Sequence, residues 1–542
     1  MIEIKSIKLD IQFKPEEENA RLRAKAAKYL RIKPVDIQDL VIVKKSVDAR
    51  RKDQIFLVYT IKLKLSPEHE KFTLKQQIKD VIAVDETQNE HLEFTNEASI
   101  NNQNRPAIVV IGSGPAGMFA ALALAEAGLK PIILERGQEV DQRLQEVSRF
   151  WREGKLNPES NVQFGEGGAG TFSDGKLTTG INDPYCKQVL NTFVAAGAPS
   201  EIAYLSKPHI GTDRLRQAIK NIRRRIIDLG GEYRFGHQLT EIIIEDQQIK
   251  GIKVSHDQHI YEMEAEHLIL AIGHSARDTF AMLAAAQVPM QAKAFSIGVR
   301  IEHPQSLIDF SQYGSAAGNP LLGAADYKLA CHLPNGRSVY TFCMCPGGTV
   351  VAAASEVGGV VTNGMSNYDR SGRNANSALL VGITPKDFLG EGPLAGIEYQ
   401  RMFEQQAYQL AGQTYAAPAQ LVKDFLQDKA SSQLGAWQAT YLPGVIPTDL
   451  SQCLPDFVVT SLRAALPILD KKLKGFAHDE AIMIGVETRS SSPVRILRGT
   501  DFQSELHGIY PCGEGAGYAG GIMSAATDGL HCAEALLKNI RR

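Results

Sequence analysis

The sequence predicts an α/β fold in which a discontinuous α/β domain encloses a mixed α+β segment and follows a small N-terminal α+β domain. Two observations predict the discontinuous domain: a strand, glycine turn, helix and strand follow Pro106, and a strand, turn and helix return near the C-terminus. A long Gly- and Ser-rich mixed stretch separates them. We predict an N-terminal domain at 1–95, the discontinuous domain at 105–290 and 481–542, and the inserted substrate domain at 291–480.

The N-terminal segment has the pattern of a small α+β module. Residues 2–12 and 54–64 alternate like strands, and Glu16 to Leu30 has apolar residues at helical spacing, with Leu22, Ala26 and Tyr29 on one stripe. Residues 1–95 hold 19 basic and 16 acidic residues. This small excess is typical of a solvated surface, so nucleic-acid binding is not predicted. The polar run 95–105 is predicted to be a linker.

Composition favours an ordinary cytoplasmic enzyme. Hydrophobic residues make up 44% and charged residues 22%, with a formal net charge of −2. The N-terminus lacks the apolar core of a signal peptide, and no apolar run is long enough to span a membrane. The seven scattered cysteines have no C-x-x-C spacing, so they predict neither a disulfide framework nor a metal site.

The first motif is a glycine turn between a buried strand and an apolar helix that Gly128 ends. Gly112, Gly114 and Gly117 fit G-x-G-x-x-G. These glycines allow the tight turn, the close approach of a pyrophosphate, and close packing of the helix on the strand. The phosphates would lie on the helix N-terminus, so contacts are also expected from Ser113, Pro115 and Ala116. The motif and its context predict a Rossmann-like dinucleotide site.

Glu135 ends the next predicted strand, 18 residues after Gly117. A carboxylate there accepts hydrogen bonds from ribose hydroxyls and repels a 2′-phosphate. Arg136 follows it and is included in the predicted site.

Two later segments distinguish FAD from NAD. Residues 232–235 and 240–254 have the pattern of a β-meander, and the strand at 267–273 ends at Gly273. This strand and the turn at 511–522 resemble segments of two-dinucleotide flavoproteins, with Glu514 where an aspartate usually binds the ribitol. The turn leads into a predicted helix from Ile522 to Leu537, whose N-terminus favours negative charge. Contacts are expected from Gly513, Glu514, Gly520, Gly521 and Ile522.

Several strings together resemble the bacterial uncharacterised FAD-dependent dehydrogenase family, relatives of glutathione-reductase-type flavoproteins. They are VDARRK (47–52), VQFGEGGAGTFSDGKLTT (162–179), FCMCPGGTVVAAASE (342–356), VTNGMS (361–366) and GVETRSSSPVRI (485–496). The resemblance covers the whole chain and implies bound FAD and a redox role. No separate Rossmann domain for a nicotinamide nucleotide is visible in the sequence, so NAD(P)H would dock without one.

The glycine-rich string at 165–176 is expected to contact the flavin. Gly167, Gly168 and Gly170 would let backbone lie against the cofactor beside Ala169. Donors toward phosphate or flavin oxygens are expected from Thr171, Ser173 and Lys176. By positional analogy, backbone around Leu239 is expected at the adenine end.

The sequence offers only weak catalytic candidates. Cys343 and Cys345 would share one face of a strand and could form a thiol pair near the flavin, but a place in the core is favoured because their spacing is not C-x-x-C. Arg300 or Arg489 could clamp an anionic substrate, and structural salt bridging is equally compatible. His209, His274 and His332 receive no proton-transfer role.

These observations predict an FAD-dependent dehydrogenase or reductase, with NAD(P)H as a possible donor and an unidentified small-molecule substrate. One alternative is a flavin-dependent hydroxylase. Another is an RNA-associated flavoprotein whose N-terminal module binds RNA. The sequence does not predict the oligomeric state.

Overall fold

Residues 1–84 form an antiparallel sheet with two helices on one face. A computed structural model describes residues 1–84 and 107–540; the predicted linker at 95–105 lies outside the described residues. The elements are β1 (Ile2–Leu9), α1 (Glu18–Leu30), β2 (Ile37–Asp48), β3 (Phe56–Leu65), α2 (Pro67–Lys75) and β4 (Val81–Ala83). The sheet order is β2-β3-β1-β4. Alternate residues of β3, from Leu57 to Leu65, are buried beneath the helices.

Two details differ from the predicted N-terminal module. Leu22 and Ala26 of α1 are buried as expected, but Tyr29 is 38% exposed and Leu30 takes its place in the core. The stripe ends at Leu30 because buried positions recur at steps of four along the helix. The edge strand β2 was missed since its lysines and exposed valines interrupt a regular apolar alternation.

The next region supplies most of a parallel sheet. Its elements are β5 (Ile108–Ile111), α3 (Pro115–Glu126), β6 (Ile132–Glu135), α4 (Val140–Glu153), α5 (Tyr185–Ala195), α6 (Thr212–Asp228), β7 (Glu232–Phe235), β8 (Gln238–Glu245), β9 (Gln248–His256), β10 (His259–Glu264), β11 (His267–Leu270) and α7 (Arg277–Ala285). The sheet order is β23-β11-β5-β6-β7, and β23 (Ile509–Pro511) comes from near the C-terminus. All its pairs are parallel.

This parallel sheet is covered on both faces, which explains why β5 is apolar throughout. Ile108 and Val110 pack with residues of α3, α6 and α12 (Ile522–Ile540). Val109 and Ile111 pack on the opposite face with α7 and the antiparallel sheet β10-β9-β8. A parallel sheet with two buried faces requires such continuous apolar strands.

The predicted β-meander is partly wrong. Residues 238–264 do form it, but β7 at 232–235 pairs in parallel with β6 and belongs to the central sheet. The connection α6 precedes β7, so the strand arrives as the last step of a crossover rather than as a hairpin arm.

The elements from Met290 to Ile496 are β12 (Met290–Ala292), β13 (Phe295–Pro304), α8 (Gln305–Tyr313), β14 (Ala330–His332), β15 (Ser338–Cys345), β16 (Thr349–Ala352), β17 (Thr362–Met365), β18 (Asn374–Ile383), α9 (Ala395–Leu410), β19 (Ala417–Leu421), α10 (Val422–Leu426), β20 (Val445–Pro447), α11 (Asp456–Lys472), β21 (Ile482–Glu487) and β22 (Val494–Ile496). Seven of these strands form a mixed sheet in the order β14-β15-β18-β13-β21-β19-β20. Every pair in this sheet is antiparallel except β19–β20.

The division of the chain at 291 and 481 stays a prediction, but the structure shows where strands change sheets. β21 pairs with β13 and β19 inside the mixed sheet. The chain returns to the central sheet only at β23. Among the residues that the structure describes, no helix combines the length and the apolar character needed to cross a membrane.

Candidate functional site

A large cavity, of about 930 Å³, lies where the central sheet, the glycine turns and the mixed sheet meet. Ligand sites often have this size and lie between structural units. Most of the predicted contact residues line it. They are Gly112, Gly114, Pro115, Ala116, Glu135, Arg136, Gly168, Ala169, Ser173, Lys176, Leu239, Gly273, Glu514, Gly520, Gly521 and Ile522.

The three motif glycines occupy different environments. A Cβ on Gly112 would lie 2.4 Å from the carbonyl oxygen of Ala271, and one on Gly117 would lie 2.0 Å from that of Gly112. Both therefore serve close packing. Gly114 is different, because its Cβ would meet only Gly168 Cα at 3.8 Å and would otherwise project into free space. Gly114 faces the cavity, at the N-terminus of α3.

Glu135 is fixed by the protein at the end of β6. One carboxylate oxygen accepts hydrogen bonds from Ser113 N at 2.9 Å and Ser113 Oγ at 3.1 Å. The other accepts from the backbone N–H groups of Gly137 and Gly165, both at 3.0 Å. Ser113 itself is buried and does not line the cavity. The strand end thus presents an oriented carboxylate to the cavity.

The glycine-rich string forms one wall, but its residues do not all face the cavity. Gly168, Ala169, Gly170, Ser173 and Lys176 line it, whereas Gly167 does not. The expectation for Thr171 is wrong: this side chain is fully buried and donates to the carbonyl oxygen of Glu166 at 3.0 Å. The reason is that a short 3-10 turn, Ala169–Phe172, directs Thr171 into the protein.

The C-terminal turn forms another part of the wall. Glu514, Gly520, Gly521 and the first residues of α12 line the cavity. Gly513 does not, because its N–H donates to Asp528 at 2.7 Å and its α-carbon packs against Ala116. The N-termini of α3 and α12 therefore meet the same cavity and both favour negative charge there.

Glu514 is a partly buried carboxyl group in this wall. Burial raises its pKa from the ordinary 4.5 to about 7, although Lys293 opposes the rise. At neutral pH this carboxyl group titrates. It can accept or donate a hydrogen bond, according to the ligand group that it meets.

We expect Glu514→Gln to change how the stability of the FAD-free protein depends on pH. Because the folded-state pKa lies above the unfolded value, the contribution of Glu514 to the free energy of unfolding is complete below pH 4.5 and is lost as pH rises through about 7. The parent protein should therefore lose on the order of 2 kcal/mol of unfolding free energy between pH 5 and pH 8.5 that the variant keeps. Urea unfolding at both values measures this. Glu505→Gln, at an exposed site, is the control. A difference independent of pH would contradict the assignment.

Arg300 does not face the cavity. All five of its N–H donors are used inside the protein, in contacts of 2.8 to 3.1 Å. The acceptors are the Glu487 carboxylate, Asn363, Asn376 and the carbonyl oxygen of Cys343. With no free donor, Arg300 cannot clamp a substrate in this arrangement, and its role is to join β13 to β21 and to the end of β15.

Arg489 lines the cavity but belongs to a buried charge cluster. The Glu404 carboxylate accepts from Arg489 at 3.0 and 2.8 Å and from Arg277 at 2.9 and 2.7 Å. Burial alone would raise the pKa of Glu404, but the two guanidinium groups outweigh it and hold that pKa well below its usual range. The cluster joins α9 to α7 and to the segment after β21. Sequence reasoning missed Glu404 because its partners are more than 80 residues away.

The two cysteines of β15 do not simply share one face. Cys343 lines the cavity, whereas Cys345 is fully buried. The alternation fails because Cys343 has φ = 42°, in the left-handed region, and the pairing with β18 shifts between Phe342 and Cys345. The predicted core position is therefore correct for Cys345 but wrong for Cys343.

His274 lines the cavity, and burial lowers its pKa to about 3, so its imidazole is neutral at physiological pH.

A cluster of possible metal ligands lies elsewhere. The Sγ atoms of Cys512 and Cys532 and a carboxylate oxygen of Asp528 lie within 4.8 Å of one another. The Arg498 guanidinium pairs with Asp528 at 2.6 Å, so the positive charge in this buried cluster comes from the protein itself.

Sequence reasoning missed the part of the cavity beyond the glycine turns. The mixed sheet and its loops contribute Asp326, Tyr327, Lys328, Thr341, Phe342, Asn363 and Arg370. These residues are scattered between positions 326 and 370, and only folding brings them together. Phe342 and Asn363 lie in strings that carry the family resemblance, but no local motif marks the others.

Family comparisons agree on the kind of protein. A family model described as "FAD-dependent protein, C-terminal domain-like" matches residues 294–490, and one described as "FAD binding domain" matches 107–156. Residues 1–64 match a domain of unknown function. A relative from Clostridium beijerinckii, named "Uncharacterized protein", is 48% identical over 526 residues, which are 95% of this chain and 96% of the relative.

Solved structures give more distant likenesses. A flavin-dependent brominase is 14% identical, with 80% of each chain covered and a TM-score of 0.38. Aklavinone-11 hydroxylase in complex with FAD and aklavinone is 13% identical, with 81% of this chain and 63% of that chain covered and a TM-score of 0.35. Glycerol-3-phosphate dehydrogenase from Bacillus halodurans, complexed with FAD, is 11% identical over 81% and 66% of the two chains, with a TM-score of 0.37.

Proposed function

The chain belongs to a family of FAD-dependent proteins, and on that premise we propose that it passes hydride or electrons between a small-molecule substrate and FAD bound in the cavity. NAD(P)H is the proposed electron donor. The observation that carries the proposal is the extent of the cavity. It runs from the turn at Gly112 past Glu514 to the end of β15, so it has room for a dinucleotide and for a second reactant.

The residues present fit a dinucleotide. A Cβ on Gly273, Gly520 or Gly521 would meet nothing within 4 Å, and one on Gly114 would meet only an ordinary contact. At Gly114 and Gly520 the backbone conformation does not require glycine either, since neither has a positive φ. Glycines at these positions keep open a surface that the protein's own packing does not need. A bound backbone or cofactor atom is what such a surface accommodates.

The proposed placement follows the cavity walls. Gly114, Pro115 and the N-terminus of α3 would hold the pyrophosphate. Glu135 would accept from the adenosine ribose, and Glu514 would meet the ribityl hydroxyls. The N-terminus of α12 and Lys176 would stabilise negative charge at the flavin end. When bound there, FAD supplies a two-electron acceptor that the protein's side chains lack.

The substrate is proposed to enter beside the mixed sheet. Thr341, Phe342 and Cys343 of β15 line this part of the cavity. Lys207 pairs with Asp326 at 2.7 Å, and Arg370 pairs with Asp174 at 2.6 Å, so their charges are already matched. The protein's task is then to position the substrate and exclude water.

An anaerobic titration of the purified protein with NADH and then NADPH tests the proposed electron donor. We expect loss of the visible absorbance of the oxidised flavin with stoichiometric amounts of one of the two nucleotides. Flavin that stays oxidised with both, and is reduced only when another substrate is added, would contradict NAD(P)H as a direct donor. Oxygen uptake coupled to substrate-stimulated NAD(P)H oxidation would instead identify a hydroxylase.

A further inference from the structure

The end of β15 contains a bulge that shapes the surroundings of two cysteines. Phe342 pairs with Ala378 and Cys345 with Asn376, so β15 contains one residue more than β18 between these two pairs. Cys343 lies in the bulge with φ = 42°. A left-handed conformation is unfavourable for a non-glycine residue, and such residues cluster at functional sites. The conformation is held in place because Arg300 donates to the carbonyl oxygen of Cys343 at 2.9 Å.

The two cysteines at the bulge differ in their access to the cavity. Cys343 is partly exposed and lines the cavity, beside Lys176 and Glu514. Cys345 is fully buried behind it, with its Sγ 3.3 Å from the Cys343 carbonyl oxygen. Both are free cysteines.

The electrostatic surroundings shift the pKa values of the two thiols in opposite directions. The neighbouring Cys345 thiol lowers the pKa of Cys343, and Lys176 and Arg300 lower it further against the effect of burial. Cys343 and burial raise the pKa of Cys345. The groups that act on the Cys343 sulfur are Cys345, Lys176, Arg300, Asp174, Glu487 and Glu514. Cys343 is therefore the more acidic of the two thiols and the one that a molecule in the cavity can reach, which suits it to attack as a thiolate.

We propose that Cys343 and Cys345 form a redox-active dithiol that reduces a low-molecular-weight disulfide entering the cavity, with Cys343 as the attacking sulfur and Cys345 as the resolving one. The Cys343 thiolate attacks one sulfur of the substrate, whose S–S bond breaks and releases a first thiolate. That thiolate takes the proton of Cys345. The Cys345 sulfur then attacks Cys343 in the mixed disulfide and releases the second thiolate, which takes a proton from water.

The net reaction oxidises the two cysteines to one disulfide and reduces the substrate to two thiols. Two electrons and the balancing protons must return the pair to the dithiol. For this return the inference rests on the proposed function, since the flavoprotein's electron donor would supply the electrons. The exchange itself needs only the protein's own sulfurs, so it is measurable without turnover.

The test uses the full-length protein with 4,4′-dithiodipyridine as the disulfide. Cys186 is also partly exposed, so Cys186→Ala serves as the background variant. We expect a fast release of two thiopyridones per chain and, by mass spectrometry, a Cys343–Cys345 disulfide without adduct. Adding Cys345→Ala should limit fast release to one thiopyridone and leave a stable adduct on Cys343. It should also raise the pH at which the reaction is half-maximal by about one unit or more.

A matched control and the FAD content separate the possible outcomes. Adding Cys331→Ala, which removes a buried cysteine of β14, should leave the release at two. A stable adduct on Cys343 in the background variant, or no reaction there, would overturn the inference even if FAD is bound stoichiometrically. Dithiol exchange in a protein that binds no FAD would instead overturn the proposed function alone.

Discussion

Replacing Gly114 by valine is expected to weaken FAD binding at least 100-fold while leaving the FAD-free protein folded. The fold should tolerate the change because φ at Gly114 is −68° and an added Cβ meets only Gly168 Cα at 3.8 Å. The side chain instead fills the space proposed for the pyrophosphate. A 100-fold loss corresponds to about 2.7 kcal/mol, a reasonable penalty for excluding phosphates from a helix N-terminus. Fluorescence titration of FAD into the refolded apoprotein measures it.

Two other glycines provide matched comparisons for Gly114. Gly382→Val in β18 also meets open space, but it lies outside the cavity lining, so FAD affinity should be unchanged. Gly117→Ala should instead destabilise the fold, because its Cβ would lie 2.0 Å from the Gly112 carbonyl oxygen. Stoichiometric FAD in folded Gly114→Val protein would contradict the placement of the pyrophosphate.

Replacing Glu404 by glutamine is expected to destabilise the protein by about 3–5 kcal/mol. The Glu404 side chain is 2% exposed and neutralises two guanidinium groups, Arg277 and Arg489, which are each 3% exposed. The amide keeps the size of the side chain but removes its charge. Glu356, which pairs with Arg277 and Arg401, would then be the carboxylate left to balance the positive charge of the cluster. Urea unfolding followed by circular dichroism measures the loss.

Glu398→Gln on the same helix is the control for this substitution. Glu398 is 61% exposed, and among the described residues its ion pair is with Arg401, one turn away, so its loss should cost less than about 0.5 kcal/mol. Equal effects of the two substitutions would contradict the view that the buried cluster ties α9 to α7.

The parts of this structure that follow from sequence are those that a local pattern specifies. Continuous apolar runs with glycine turns identify β5, β11 and α12, and the motif glycines identify one wall of the cavity. The structure even separates the motif glycines as spacing suggests, with Gly117 in packing contact and Gly114 open to the cavity.

What sequence could not predict depends on contacts between distant residues or on local departures from regular geometry. For Arg300 and Arg489, the sequence was compatible both with substrate binding and with a structural ion pair. Only the fold shows that Glu487 lies beside Arg300 and that Glu404 lies beside Arg489. The sequence predicted Thr171 as a donor toward the cofactor, but the 3-10 turn directs its side chain into the protein. The bulge at Cys343 has no sequence signature, so simple alternation placed both cysteines on one face.

The most direct test of the central claim is the amount of FAD that the protein binds. The gently purified protein, or its apoprotein after equilibrium dialysis against FAD, is predicted to hold one FAD per chain, measured from flavin absorbance and protein concentration. A folded protein that carries no flavin and takes none up would contradict the claim that this cavity is an FAD site.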